Sequence, residues 1–255
     1  MNAALLKQGI KSTWKTLVIF AAVVTMYVSI MVLMYDPEMS KVFEEFINVM
    51  PQMMAAFGMN AITDNMTDFL ASYLYGFILI LFPMVFIIIT ANSLVVRHID
   101  RGSMAYLLAS PNKRNKIAFT QALTLILGIF ILVAYAALLG IAVSEASFPG
   151  EIDIIGYLLM NLGLFCLHFF IGGLCFFASC ITDEVRKSTL IGGGIAIVSY
   201  LFQSIANVGE KFEYLRYATF FTLFDTELLI DGTQNGLIMA GILLVGGVLF
   251  FGTGI

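Results

Sequence analysis

The sequence predicts an all-α, polytopic membrane protein with six transmembrane helices, and three observations lead to that fold class. First, 60% of the residues are hydrophobic and 12% are charged, whereas a soluble domain carries about 25% charged residues. Second, the charges fall between six uncharged runs, each long enough to cross the hydrocarbon core of a bilayer. Third, a backbone inside lipid must satisfy its own hydrogen bonds, so these runs are helices.

The six predicted spans leave no room for a soluble domain, so we expect a single transmembrane domain over residues 1–255. The spans cover approximately residues 16–35, 69–96, 117–143, 155–181, 188–208 and 236–255. With the N-terminus in the cytoplasm, ten of the thirteen Lys and Arg residues lie inside, and fourteen of the seventeen Asp and Glu residues lie outside. Because basic residues mark cytoplasmic loops, this bias predicts that both termini are inside.

Two outer segments stand out in that orientation. The loop over residues 36–68 is long, and residues 210–231 mix aromatic with acidic side chains. The second segment is too charged to span and too aromatic to be free in water, so we expect it to be re-entrant or interfacial. The loop carries an apolar patch of Met50, Met53, Met54, Phe57 and Met59. Three interpretations of this patch are open. It could pack on the spans, offer an adaptable surface to a substrate, or bind a soft metal such as Cu(I).

Residues 2–15, before the first span, are amphipathic at helical spacing. One stripe consists of Leu6, Ile10 and Trp14, and the next of Lys7, Lys11 and Lys15. The pattern predicts an interfacial helix on the cytoplasmic leaflet, with Trp14 at the depth of the lipid headgroups. The alternative is a positively charged flank that only orients the first span.

The basic segment 97–116, between the second and third spans, contains a short helix signal. Gly102 ends the preceding helix, Ser103 can cap the next one, and Pro111 opens a third. The stretch between these signals predicts a two-turn helix over residues 103–109, with a basic rim. Its apolar side chains are Tyr106, Leu107 and Leu108. Such a knob suits a groove on a soluble partner, whereas the alternative is an ordinary charged loop.

The fifth span carries polar residues at steps of three and four, which places them on one side of a helix. They are Ser199, Tyr200, Gln203, Ser204 and Asn207. They either line a pathway or bond neighbouring helices, and the sequence leaves both interpretations open.

The chain lacks the sequence patterns of common catalytic sites. There is no Gly-x-x-x-x-Gly-Lys-Ser/Thr phosphate loop, so we expect no ATP binding by that route, no enzymatic activity and no cofactor or metal on this chain. Apart from Tyr and Cys, His168 is the only ionisable residue deep in a span, and we interpret it as a packed, hydrogen-bonded side chain. A carrier with its own proton relay is hard to build from such spans, so either energy enters from elsewhere or the protein is not a pump.

The segment from Asp100 to Arg114 resembles the permease subunits of ABC-2 type exporters. The matching residues are Asp100, Gly102, Ser103, Leu107, Leu108, Pro111 and Arg114. The amphipathic N-terminus is similar to the elbow helix of that family, and the six spans agree with it. The chain departs from the family by having Asp100 where Glu is common and Met104-Ala105 where an acid is frequent.

This resemblance implies a bacterial cell-membrane protein in which two permeases pair, as two copies or as relatives. Each permease docks a separate ATP-binding subunit, which holds ATP and Mg, against the coupling helix 103–109. The residues implied at the dock are Gly102, Ser103, Tyr106, Leu107, Leu108, Pro111 and Arg114. A path lined by the second and fifth spans would export a hydrophobic or amphipathic substrate, such as a peptide toxin, an antimicrobial peptide or a drug. Membrane lipid surrounds the pair, and no nucleic acid is expected.

Two other functions fit the sequence. One is a non-transporting membrane subunit with an immunity or sensor role, which would need no ATP-binding partner. The other is a copper-handling ABC permease, suggested by the outer methionines.

Overall fold

The computed structural model describes residues 3–35, 49–58, 65–102 and 114–255, and this described part is helical without any β-strand. Six segments are long and apolar enough to cross a membrane: Ala3–Leu33, Ile78–Asp100, Arg114–Ser147, Ile154–Ile181, Val185–Ala206 and Gln234–Gly254. The predicted fold class is therefore confirmed, and the chain is a multi-pass membrane protein.

The helices differ in length and regularity. In chain order they are α1 (Ala3–Leu33), α2 (Pro51–Ala56), α3 (Met66–Leu70), α4 (Ile78–Leu94), α5 (Val96–Asp100), α6 (Arg114–Ser147), α7 (Ile154–Ile181), α8 (Val185–Ser188), α9 (Gly194–Ala206), α10 (Thr226–Ile230) and α11 (Gln234–Gly254). Of two π-helices, Ala71–Tyr75 lies just before α4 and Thr189–Gly193 lies within the fifth span. The predicted outer segment contains 3₁₀ helices at Glu210–Ala218 and Phe220–Leu223, followed by α10.

The N-terminal segment differs from the sequence prediction. Residues 3–15 are helical, but they continue into the first span as one helix of 31 residues, about 46 Å long at 1.5 Å per residue. The junction Trp14-Lys15-Thr16 contains no Gly or Pro that would end a helix. The predicted elbow is therefore the first part of α1 in this structure and not a separate helix.

The second and fourth spans form the centre of the bundle. About 72% of the most apolar stretch of the second span and 67% of that of the fourth are buried, against 17% for the first. The fully buried His168 links the two central spans, because its Nδ1 lies 2.8 Å from Leu164 O and its Nε2 lies 3.2 Å from Ile80 O. Pro83 has no N–H to donate to Leu79 O, the carbonyl next to that of Ile80 in α4. His168 thus satisfies backbone near the proline, as the packed interpretation expected.

Close contact between α7 and α11 depends on glycine. A Cβ atom at Gly247 would lie 2.5 Å from Phe169 Cδ1 and 3.1 Å from Phe169 O. Gly247→Ala is expected to lower the free energy of unfolding by about 1–3 kcal/mol through overpacking. Gly241 lies on the same helix with nothing within 4 Å of its Cβ position, so Gly241→Ala is the matched control. Thermal unfolding of both variants in the same detergent tests this prediction. Equal unfolding temperatures for the two variants would contradict the close contact at Gly247.

Candidate functional site

Basic residues gather at one end of the bundle, which we call the basic end. It comprises residues 3–15, 97–102, 114–116 and 183–187. The opposite end, which we call the far end, contains the start of the second span and the 3₁₀ helices. Polar clusters occur at both ends.

The far end contains a cavity of about 130 Å³ between the second and fifth spans. Four of the five polar residues predicted on the fifth span line it: Tyr200, Gln203, Ser204 and Asn207. The fifth, Ser199, is buried and does not line it. Tyr75 and Gly76 contribute the opposite wall, and Phe221 of the second 3₁₀ helix also lines the space. We call this space the far-end cavity.

Hydrogen bonds and ring contacts hold the walls of the far-end cavity together. Tyr200 Oη donates to Gly76 O at 3.2 Å, and Thr222 Oγ1 donates to Gln203 Oε1 at 3.0 Å. The rings of Tyr200 and Phe221 meet edge to face, with centroids 5.5 Å apart. The polar side of α9 therefore faces protein and cavity, whereas apolar residues such as Leu201 and Ile205 are exposed.

Three buried polar side chains, Tyr75, Tyr157 and Asn161, interact with one another beside this cavity. The two tyrosine rings are perpendicular, with centroids 5.9 Å apart. Of the three, Tyr75 is the one that lines the cavity, so it connects this buried polar group to the cavity wall. The only sequence signal for this group was an Asn inside an apolar run.

A second polar cluster lies towards the basic end and joins three spans. Asn92 of α4 donates from Nδ2 to Thr189 Oγ1 at 2.9 Å, and its Oδ1 accepts from Ser188 Oγ at 2.6 Å and from Ser179 Oγ at 3.3 Å. Ser179 belongs to α7, Ser188 ends α8, and Thr189 begins the π-helix of the fifth span. We call these four residues the Asn92 cluster. The sequence did not predict this cluster, because its members are isolated polar positions in three different spans.

The structure describes only the two ends of the predicted docking segment. Gly102 follows α5 with φ +69°, a backbone conformation that favours glycine, and Arg114 begins α6. Both residues are exposed at the basic end. The remaining predicted docking residues lie outside the described ranges: Ser103, Tyr106, Leu107, Leu108 and Pro111. The helix over 103–109 therefore stays a prediction.

The amphipathic stripes of residues 3–15 point away from the bundle. Ile10 and Trp14 are 47% and 49% exposed, Leu6 is partly exposed, and Lys7, Lys11 and Lys15 are exposed as well. A third stripe, Leu5, Gly9 and Thr13, is the buried one. An apolar stripe that the bundle leaves uncovered suits contact with lipid.

The structure describes Met50, Met53 and Met54 of the predicted methionine patch. Met50 and Met53 are about half exposed, so these two do not pack in the core, whereas Met54 packs against it. Met59 lies outside the described ranges. Within residues 3–35, 49–58, 65–102 and 114–255, no group of three or more His, Cys, Asp or Glu side chains is placed to hold a metal ion.

Comparison with protein families identifies the chain. The family described as ABC-2 family transporter protein matches residues 6–251, nearly its whole length. No curated protein and no solved structure matches it. The match agrees with the six membrane-spanning helices and with the resemblance carried by the segment from Asp100 to Arg114. The chain therefore belongs to the ABC-2 family of transporter proteins.

Proposed function

We propose that this chain is the membrane-spanning permease subunit of an ATP-driven ABC exporter in a bacterial cell membrane, with both termini in the cytoplasm. The observation that carries the proposal is the family match over residues 6–251. Permeases of this family generally work with an ABC ATP-binding subunit. ATP and Mg would bind on that partner, so the permease itself catalyses no reaction.

The far-end cavity supports a path between the second and fifth spans. It combines amide and hydroxyl groups with the aromatic rings of Tyr75, Tyr200 and Phe221. Such a wall makes both apolar and hydrogen-bonding contacts, which suits a hydrophobic or amphipathic substrate such as a peptide toxin, an antimicrobial peptide or a drug. A second permease, either a copy of this chain or a relative, would complete the path.

The Asn92 cluster supports a route for mechanical coupling. The second span continues through α5 to Gly102 and the predicted docking helix, so a push on that helix moves the basic end of the second span. Asn92 accepts a hydrogen bond from Ser188 and donates one to Thr189, and these two bonds tie this end to the start of the fifth span. The fifth span also contains a π-helix, and another lies just before α4; such helices are frequent at functional sites.

The decisive experiment is mass analysis of the complex purified from its native membrane through a tag on this chain. We expect one ATP-binding subunit per permease and two permeases per particle. A particle without a nucleotide-binding partner would contradict the exporter proposal and favour the immunity or sensor alternative.

Filling the far-end cavity is expected to impair transport. Gln203→Trp places a large ring in the cavity and removes the hydrogen bond from Thr222, so we expect about tenfold slower export, a loss comparable to that from a poorly fitting binding pocket. Leu201→Trp is the matched control, because Leu201 is on the same helix and 51% exposed. The effect is measured as the export rate from vesicles that contain equal amounts of each variant. Equal export rates for the two variants would contradict a role of the cavity in the transport path.

A further inference from the structure

A cleft opens at the basic end between α1, the α4–α5 junction and α6. It has a volume of about 360 Å³. Its lining includes the polar residues Gln8, Ser12, Ser93, Arg97, Arg101 and Gln121. A second cleft of about 490 Å³ adjoins it, since both are lined by Ser12, Ser93, Arg97 and Arg101. We call the two together the basic-end cleft.

Two arginines in this cleft have no ionic partner in the part of the chain that the structure describes. Arg97 and Arg101 are one helical turn apart and exposed, and the described ion pairs all belong to Lys187. Asp100 also lines the second cleft, but it forms no ion pair with either arginine. Guanidinium groups pair with phosphate through parallel hydrogen bonds. The charges of this cleft therefore suit a phosphate group.

A buried amide faces the same cleft. Gln121 of α6 is 4% exposed, and its Oε1 has no hydrogen-bond partner among the described residues. Gly9 of α1 lies opposite, where a Cβ atom would come within 3.5 Å of that oxygen. A buried amide oxygen without a partner is costly, and a bound polar group would remove that cost. The cleft therefore combines two cationic side chains with a buried amide.

The rest of the lining is apolar and distinguishes a lipid from a soluble anion. Leu5 and Leu94 line the first cleft, and Ile88 and Ile89 line the second. Ile89 is 46% exposed within a membrane-spanning helix. A molecule with a phosphate at one end and a hydrocarbon chain at the other satisfies the arginines and covers these side chains. Inorganic phosphate pairs with the arginines but leaves the apolar side chains uncovered.

We propose that the basic-end cleft binds an anionic membrane phospholipid, with its phosphate on Arg97 and Arg101, its headgroup beside Gln121 and its acyl chain along Ile89. Basic pockets between transmembrane helices hold lipid headgroups in this manner. The site does not depend on the transport proposal, because it concerns the permease chain and its membrane alone.

The single tryptophan provides the test. Trp14 is on α1, two residues beyond Ser12, which lines the cleft. Its own side chain is exposed beside Lys11 and Lys15, so the test is the change in its quenching when cleft residues are replaced. The chain is reconstituted in phosphatidylcholine vesicles that contain a small fraction of brominated phosphatidylglycerol, or the same fraction of brominated phosphatidylcholine. We expect brominated phosphatidylglycerol to quench Trp14 more strongly. Arg97→Gln with Arg101→Gln is expected to lower the apparent preference for the anionic lipid by about fivefold or more.

Two further variants separate a built site from diffuse attraction. Gln121→Leu changes no charge and is expected to weaken the preference, whereas Arg186→Gln removes an exposed charge at the same end and is expected to keep it. Equal quenching by the two lipids, or an unchanged preference in Gln121→Leu, would overturn the proposal. So would calorimetric binding of inorganic phosphate without a preference for phosphatidylglycerol, because it would assign the cleft to a soluble anion. Loss of the preference in Arg186→Gln alone would also overturn it.

Discussion

Replacing Asn92 by Leu is expected to uncouple the second span from the fifth. Asn92 is 9% exposed and contacts three hydroxyl groups on other helices. Without the amide, Ser179 still donates to Cys175 O and Thr189 to Val185 O, both at 2.9 Å. Among the described residues, Ser188 keeps Ser179 as its hydrogen-bonding neighbour, at 3.0 Å. Because hydroxyl groups regain local partners, we expect a loss of about 1–3 kcal/mol in unfolding free energy.

The transport defect of Asn92→Leu should exceed what this loss of stability explains. A folded variant whose second span moves without the fifth would hydrolyse ATP with little export. The measurement is export per ATP hydrolysed in vesicles, together with unfolding of the purified variants. A double-mutant cycle with Ser188→Ala isolates the contact, and we expect a coupling energy of about 0.5–2 kcal/mol. A coupling energy near zero with normal export would contradict the role of the cluster.

Control variants distinguish coupling from general damage. Ser93→Ala changes the neighbouring residue, which makes no hydrogen bond within the described part of the chain, and it should match the parent in unfolding. Ser179→Ala should cost less than Asn92→Leu, because Ser179 contributes the longest bond to Asn92, at 3.3 Å. The reverse order would show that α7, and not the fifth span, is the main partner of Asn92.

The six spans and the polar side of the fifth span could be predicted because both are properties of one helix at a time. Hydropathy determines whether a run crosses lipid, and a spacing of three and four residues places Gln203, Ser204 and Asn207 on one side. The far-end cavity contains these residues, as well as Tyr200. This periodicity does not predict which neighbouring helix these residues face.

The Asn92 cluster could not be predicted because its contacts join residues 87 to 97 positions apart in the chain. Nothing in a single sequence pairs one Asn with two serines and a threonine on other spans. The continuity of α1 was missed for a different reason. Amphipathic spacing predicts which sides of a helix are polar, but it does not predict a bend, and no residue between Trp14 and Thr16 imposes one.

The other large effect is expected at the predicted docking helix. Replacing both Leu107 and Leu108 by Asp should abolish export and the recovery of the ATP-binding subunit, while the chain still inserts into the membrane. Truncating one hot-spot residue of a protein interface costs about 2 kcal/mol or more. Two carboxylates in place of these leucines would also have to be desolvated in the partner's groove. Insertion is unaffected because residues 103–109 lie between the spans.

The control for this variant keeps the apolar volume. Leu107→Met with Leu108→Met should retain export, because Leu and Met exchange at small cost in a packed contact. Co-purification with the ATP-binding subunit is measured beside export, which separates docking from coupling: the Asp variants should fail at docking, and Asn92→Leu should dock normally and fail afterwards. Unchanged export in the Asp double variant would contradict the coupling role of this helix. Loss of the chain from the membrane would instead place Leu107 and Leu108 in contact with the bundle, since Gly102 and Arg114 connect this segment directly to the second and third spans.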